Sequence, residues 1–117
     1  YAFSFPSRLP LNGERLDLFK QQKLEFFEPD INKFKCLALA YEAINKGGNM
    51  PCILNAANEI ANVAFRNGQC SFTGMATIIE QTMAKATFDK NPNLDVYLQT
   101  DKEARAIASE IIKNINE

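Results

Sequence analysis

The sequence has no histidine, and only three of its 117 residues are cysteine. Without histidine, none of its serines has the base that usually activates such a nucleophile. A zinc site would need Cys36, Cys52, Cys70 and a carboxylate from distant positions, because no two cysteines show the C-x-x-C spacing. Free, buried thiols in a reducing cytoplasm are the simpler interpretation, and we therefore expect a cytoplasmic protein.

Long apolar runs and clusters of one charge are also missing. No run approaches the roughly 20 apolar residues that a membrane span needs, and the first residues lack the pattern of a signal peptide. The 13 basic and 14 acidic residues are scattered and give a net charge of −1. We therefore expect neither nucleic acid nor a membrane as a partner. The first methionine is Met50, and we expect the chain to be a piece of a longer protein.

The first 30 residues have the pattern of a connector. Tyr1, Phe3 and Phe5 alternate with small residues, which predicts a strand. Residues 7–23 combine proline, glycine and many charges with no sustained period, as is typical of a segment that runs over a surface. Residues 24–27 predict a second short strand. We assign residues 1–30 to a linker with a residual strand, which the family resemblance described below implies to come from a preceding catalytic domain.

After residue 30, apolar residues recur at the spacing of a helix. Four such segments with short connections predict an all-α fold, a four-helix bundle-like domain over residues 31–117, preceded by the extended linker with its short strand segments. The core is expected from four apolar stripes: Phe34, Leu37, Ala38, Tyr41 and Ile44; Ile53, Leu54, Ala57, Ile60, Ala61, Ala64 and Phe65; Met75, Ile78, Ile79, Met83 and Ala86; Ala104, Ile107, Ala108, Ile111, Ile112 and Ile115.

Glycine, proline and capping residues mark the predicted helix ends. Thr100 and Glu103 have the spacing of a capping box, which predicts that the fourth helix begins there. The other predicted boundaries are Gly47 and Gly48 after the first helix, Asn49 and Pro51 at the start of the second, Gly68 at its end, Thr73 as the cap of the third, and Asn91 and Pro92 after it. A second interpretation of Gly47-Gly48-Asn49 is an anion-binding turn, although the glycine spacing of a P-loop is missing.

The segment Leu54-Asn55-Ala56-Ala57-Asn58-Glu59 is the most distinctive stretch of the sequence. Asn55 and Glu59 are one helical turn apart, and Asn58 lies next to both. A structural interpretation is that the small alanines admit another backbone while the amides bond buried polar groups. The alternatives are a direct contact with a ligand or, for Glu59, with a metal. The sequence does not decide whether these three residues approach an active site.

An ordered set of motifs resembles one family. The run Phe27-Glu28-Pro29-Asp30, followed by Phe34-x-Cys36-Leu37-x-Leu39-Ala40-x-Glu42-Ala43, is similar to the start of the last domain of 1-deoxy-D-xylulose 5-phosphate reductoisomerase. The similarity continues through Gly47-Gly48, Pro51, residues 54–59, Ala64-Phe65 and Phe72. Tyr1-Ala2-Phe3-Ser4-Phe5-Pro6-x-Arg8-Leu9 and Leu16-Asp17-Leu18 resemble the linker of that family. The resemblance covers nearly the whole chain and is weakest after residue 87.

The resemblance implies a parent enzyme that converts 1-deoxy-D-xylulose 5-phosphate to 2-C-methyl-D-erythritol 4-phosphate in non-mevalonate isoprenoid biosynthesis. It implies NADPH and Mg²⁺ or Mn²⁺ as cofactors, the catalytic domain of the same chain as partner, and a homodimeric parent. The family's metal ligands and phosphate-binding residues precede the position of Tyr1. We therefore predict no catalytic, cofactor-binding or metal-binding residue in this chain. The alternative is a free-standing helical module that binds a peptide.

Overall fold

A computed structural model describes residues 1–10 and 12–115, and all regular secondary structure in these ranges is helical. A short 3-10 helix spans Ala2–Ser4. Five α-helices follow, namely α1 (Leu18–Gln21), α2 (Lys35–Lys46), α3 (Met50–Arg66), α4 (Phe72–Lys85) and α5 (Leu94–Ile115). The all-α class is confirmed. Leu11 of the predicted linker and residues 116 and 117 of the predicted bundle lie outside the described residues.

Helix α3 is the centre of the bundle and packs against α2, α4 and α5. Its side towards the core has the larger Met50 and Ile53 in its first turn and small residues after them, of which Ala57, Ala61 and Ala64 are buried. Ala104 and Ala108 of α5 are also buried, so both helices present little side-chain bulk and their backbones can approach closely. Larger side chains from α4 and α5, among them Ile78 and Ile111, complete the core.

The apolar stripes predicted for α3 and α4 are confirmed. Most of their members are fully or partly buried in one continuous core. The exception is Phe65, which is 39% exposed at the end of α3 and meets Phe72 edge to face, with ring centroids 5.8 Å apart. The buried members are Ile53, Ala57, Ala61, Ala64, Ile78, Ile79, Met83 and Ala86, together with Ala56, which the stripes did not include.

The stripe predicted for α2 is wrong. Leu39 and Ala43 face the core, whereas Phe34, Tyr41 and Ile44 are exposed. Leu37 and Ala38 are only partly buried. The error has a physical reason, because α2 has apolar residues on two opposite sides and periodicity alone does not say which side packs on the bundle.

Helix α5 begins six residues before the predicted start. Asn93 caps it by accepting a hydrogen bond from the backbone N–H of Val96 at 2.9 Å. The predicted capping box is therefore wrong, since Thr100 lies inside the helix. The core stripe is confirmed at Ile111, which is 2% exposed, but Ile115 is 49% exposed.

Of the other predicted helix boundaries, some are confirmed and some are wrong. Gly47 ends α2 with a φ of +67°. Helix α3 does begin after Asn49, with Pro51 in its first turn, and it ends at Arg66, just before Gly68. Ser71 and not Thr73 caps α4, because its hydroxyl accepts from the N–H of Gly74 at 3.0 Å. The same helix ends at Lys85, well before Asn91 and Pro92.

Both predicted linker strands are wrong for the part of the chain that the structure describes. Residues 2–4 form the 3-10 turn, which brings the rings of Tyr1 and Phe5 to 5.9 Å. Residues 24–27 have no regular structure. A lone strand has no ladder of hydrogen bonds to hold it, so local contacts decide these conformations. Neither the 3-10 helix nor α1 packs against a described helix of the bundle.

Candidate functional site

Acidic and sulfur ligands do not converge in the part of the bundle that the structure describes. The described residues contain no group of three or more histidine, cysteine, aspartate and glutamate side chains that could hold a metal ion. The three cysteines are free, as predicted, but none is buried: Cys36 is exposed, and Cys52 and Cys70 are half-buried. Partial burial raises the pKa of the Cys52 and Cys70 thiols, which keeps both protonated and weakens them as nucleophiles.

A polar cluster joins α3 to α5. The Arg105 guanidinium donates through Nη2 to Glu59 Oε2 at 2.7 Å and through Nε to Asp101 Oδ2 at 2.7 Å. Asn55 Nδ2 donates to Glu59 Oε1 at 3.1 Å. Asn55 and Glu59, which the sequence placed one helical turn apart, are therefore joined by a hydrogen bond, whereas Asn58 is exposed. Arg105 was not singled out in the sequence, where nothing links residue 105 to residue 59.

Arg105 controls the ionisation of the cluster. Its hydrogen bonds lower the pKa of Glu59 and of Asp101, because the guanidinium stabilises each carboxylate. The two carboxylates in turn raise the pKa of Arg105, which stays charged. One cation between two anions leaves the cluster with a single excess negative charge. This arrangement ties two helices together, and it lacks the open acidic site that a divalent metal needs.

The two alanines of this segment behave as the structural interpretation predicted. Ala56 and Ala57 are fully buried and let α3 sit deep in the bundle. The side-chain amides do not follow that interpretation, because Asn55 and Asn58 are exposed and bond no buried group. The segment therefore has an apolar inner side that builds the core and a polar outer side that carries the cluster.

Asn49 is the buried polar centre of the fold and is 1% exposed. Its Nδ2 donates to the Thr87 carbonyl at 3.0 Å and to Thr100 Oγ1 at 2.9 Å. Its Oδ1 accepts from the N–H of Asp89 at 2.9 Å, and its own N–H donates to the Asp89 carbonyl at 3.0 Å. One side chain thus fixes the α2–α3 turn, the α4–α5 connection and α5 relative to each other.

Further contacts brace the same junction. Glu103 Oε1 accepts from both the N–H of Thr87 at 3.1 Å and its hydroxyl at 2.9 Å. The Tyr97 hydroxyl donates to the Gly48 carbonyl at 3.3 Å. Because the N–H of Asn49 already binds Asp89, the anion-binding interpretation of this turn gains no support. The predicted cap residues Thr100 and Glu103 are used here for contacts between distant segments.

Comparisons with known proteins agree with one another. The DXP reductoisomerase C-terminal domain model matches residues 1–107. The chain is 50% identical to the 1-deoxy-D-xylulose 5-phosphate reductoisomerase of Bacteroides fragilis over 112 residues, which are 96% of this chain and 29% of that protein.

Solved structures show the same similarity in three dimensions. The 1-deoxy-D-xylulose 5-phosphate reductoisomerase from Zymomonas mobilis in complex with NADPH gives a TM-score of 0.78 at 36% identity, over 95% of this chain and 29% of that one. A DOX-P reductoisomerase with fosmidomycin and magnesium gives 0.73 at 33% identity, over 98% and 31%. The chain spans less than a third of the length of each of these proteins.

Proposed function

This chain belongs to the DXP reductoisomerase C-terminal domain family, and from that premise we propose that it is the structural C-terminal domain of a 1-deoxy-D-xylulose 5-phosphate reductoisomerase. In this proposal the parent enzyme converts 1-deoxy-D-xylulose 5-phosphate to 2-C-methyl-D-erythritol 4-phosphate for isoprenoid biosynthesis. The observation that carries the proposal is the family match, which spans both the linker and most of the bundle.

The parent enzyme would use NADPH and Mg²⁺ or Mn²⁺, and the residues of this chain do not fit either group. The carboxylates of Glu59 and Asp101 are both engaged by Arg105, and the described residues offer no other convergent acidic set. The sequence has no glycine-rich G-x-G-x-x-G fingerprint for a dinucleotide. We therefore assign both cofactors to the part of the parent that precedes this chain, and no catalytic, cofactor or metal residue to the chain itself.

We extend the proposal to the organisation of the parent. Residues 1–30 would be the linker and residues 31–117 the bundle that packs on the catalytic domain of the same polypeptide. The family resemblance supports a homodimeric parent. Three free thiols support a cytoplasmic location, since a reducing compartment keeps cysteines unpaired. Among the described helices, none combines the length and the apolar character required to cross a membrane.

The test compares NADPH oxidation by the intact parent and by the 117-residue chain, each with the sugar phosphate and Mn²⁺. We expect the parent to oxidise NADPH only when the sugar phosphate is present, and the chain to match a protein-free control. Substrate-dependent oxidation by the chain would show that it is catalytic. A parent without this activity, or a gene without a nucleotide-binding domain upstream of Tyr1, would favour the peptide-binding module instead.

A further inference from the structure

Helix α2 is apolar on two opposite sides. Leu39 and Ala43 pack on the bundle, and they are 5% and 2% exposed. At 3.6 residues per turn, Tyr41 and Ile44 lie about 200° and 140° around the helix from Leu39, on the side that faces away. A helix at the surface of a free-standing domain normally has charged and polar residues on that side.

The outward side of α2 is short of charge and well exposed. Tyr41 is 52% exposed and Ile44 70%, and Phe34 just before the helix is 56% exposed. No charged residue occurs between Lys35 and Glu42. The pattern is that of a helix buried on both sides, and the bundle covers only one of them.

The apolar surface continues past the start of α2. Ile31 is 49% exposed, and Phe26 and Phe27 of the linker are 88% and 83% exposed. Rings of this size each bury on the order of 150–250 Å² when they are covered. A neighbour that covered both the α2 side and these linker rings would therefore remove several hundred Å² of apolar surface from water.

We infer that the outward side of α2, defined by Phe34, Tyr41 and Ile44, is the surface on which the catalytic domain of the parent enzyme docks. This inference rests on the proposed function. The chain spans only 29% of its Bacteroides fragilis relative, so most of such a parent lies outside the described residues. The apolar linker residues lead directly into α2, so both surfaces can be covered by one neighbouring domain.

The alternative occupant of this surface is a second copy of the chain, whose contact would strengthen as the concentration of the chain rises.

The experiment measures backbone hydrogen exchange of residues 35–46 in the intact parent and in the 117-residue chain. We expect at least a tenfold slower exchange in the parent, because a docked domain suppresses local opening of α2. Equal rates in the two proteins would overturn the inference. Protection in the isolated chain that rises with its concentration would also overturn it, because a second copy would then cover α2.

Two substitutions test whether the outward side of α2 makes the contact with the catalytic domain. Ile44→Glu places a charge on the proposed surface, and Leu98→Glu is the control, since Leu98 is 65% exposed on α5, which does not pack against α2. In the isolated chain neither change should move the urea midpoint. In the parent, Ile44→Glu should remove the additional protection of α2 while Leu98→Glu retains it. The same effect from both variants would contradict the inference.

NADPH turnover by the unsubstituted parent separates this inference from the proposed function. A parent that is active but shows no additional protection of α2 refutes the docking surface alone. A parent that is inactive refutes the proposed function, on which the identity of the docked domain depends.

Discussion

Replacing Asn49 with alanine should destabilise the bundle more than any change to its other asparagines. The side chain makes three hydrogen bonds, to the Thr87 carbonyl, to Thr100 Oγ1 and from the N–H of Asp89. Each such bond contributes about 1 kcal/mol net, and a buried partner left without a bond costs about 1–3 kcal/mol. Thr87 is exposed and Asp89 only partly buried, so water can replace part of the loss at both. We therefore expect a loss of about 3–5 kcal/mol.

Asn55→Ala is the matched control for this change. Asn55 lies in the first half of α3, which Asn49 directly precedes, but it is exposed and makes one hydrogen bond, to Glu59. Surface substitutions of this kind usually stay within about 0.5 kcal/mol. The two variants differ in the number and burial of their hydrogen bonds, so their difference isolates the contribution of the buried junction.

The measurement is urea unfolding followed by far-ultraviolet circular dichroism. Free energies of unfolding follow from the midpoint and slope if the transition is two-state. A loss below about 1 kcal/mol for Asn49→Ala, or a loss equal to that of Asn55→Ala, would refute the role of the junction. If Asn49→Ala does not fold, Thr100→Val removes a single bond of the same junction and should cost about 1–2 kcal/mol.

Two further predictions concern α5. Ile111→Ala should cost about 2–5 kcal/mol in the same urea assay, because Ile111 is 2% exposed. Ile115 is 49% exposed, so Ile115→Ala should cost well under 1 kcal/mol. Equal losses for the two variants would place Ile111 outside the core. Arg105→Met should raise the pKa of Glu59 and of Asp101 towards the ordinary values that these carboxyls have in an unfolded chain, as measured by carboxyl NMR titration. Arg105 depresses the pKa of both carboxyls in the folded state. The stabilisation of the fold that it provides is therefore present above the unfolded-state pKa values and is lost as the pH falls through the folded-state pKa values. Unchanged titrations of Glu59 and Asp101 in the variant would contradict the cluster.

The existence of the helices could be predicted from sequence, and their ends only in part. Apolar spacing located four helices of the bundle because burial of one side imposes that period. Ends depend on single hydrogen bonds, and several residues can make them. Ser71 is as good a cap as Thr73, and Asn93 caps α5 although Thr100 and Glu103 have the better-known spacing.

Contacts between distant segments could not be predicted from local sequence patterns. Thr100 and Glu103 lie three residues apart and therefore share one side of α5, as a capping pair would. In the folded protein that side faces both the α2–α3 turn and the α4–α5 connection, so Thr100 binds Asn49 and Glu103 binds Thr87. Arg105 reaches Glu59 for the same reason, because packing of α5 on α3 brings together residues that are 46 positions apart.

The orientation of α2 shows why apolar spacing alone did not predict which side of this helix packs on the bundle. Its larger apolar residues, Tyr41 and Ile44, point away from the bundle, while Leu39 and Ala43 face it. Fully burying an apolar side chain of this size contributes about 1.5–3 kcal/mol. Since both outward side chains are already partly covered, a docked domain would add about 2–4 kcal/mol through them, before the cost of association. The second apolar side of α2 is therefore the side that the proposed docking would bury, and its presence explains why apolar spacing did not identify the side that packs on the bundle.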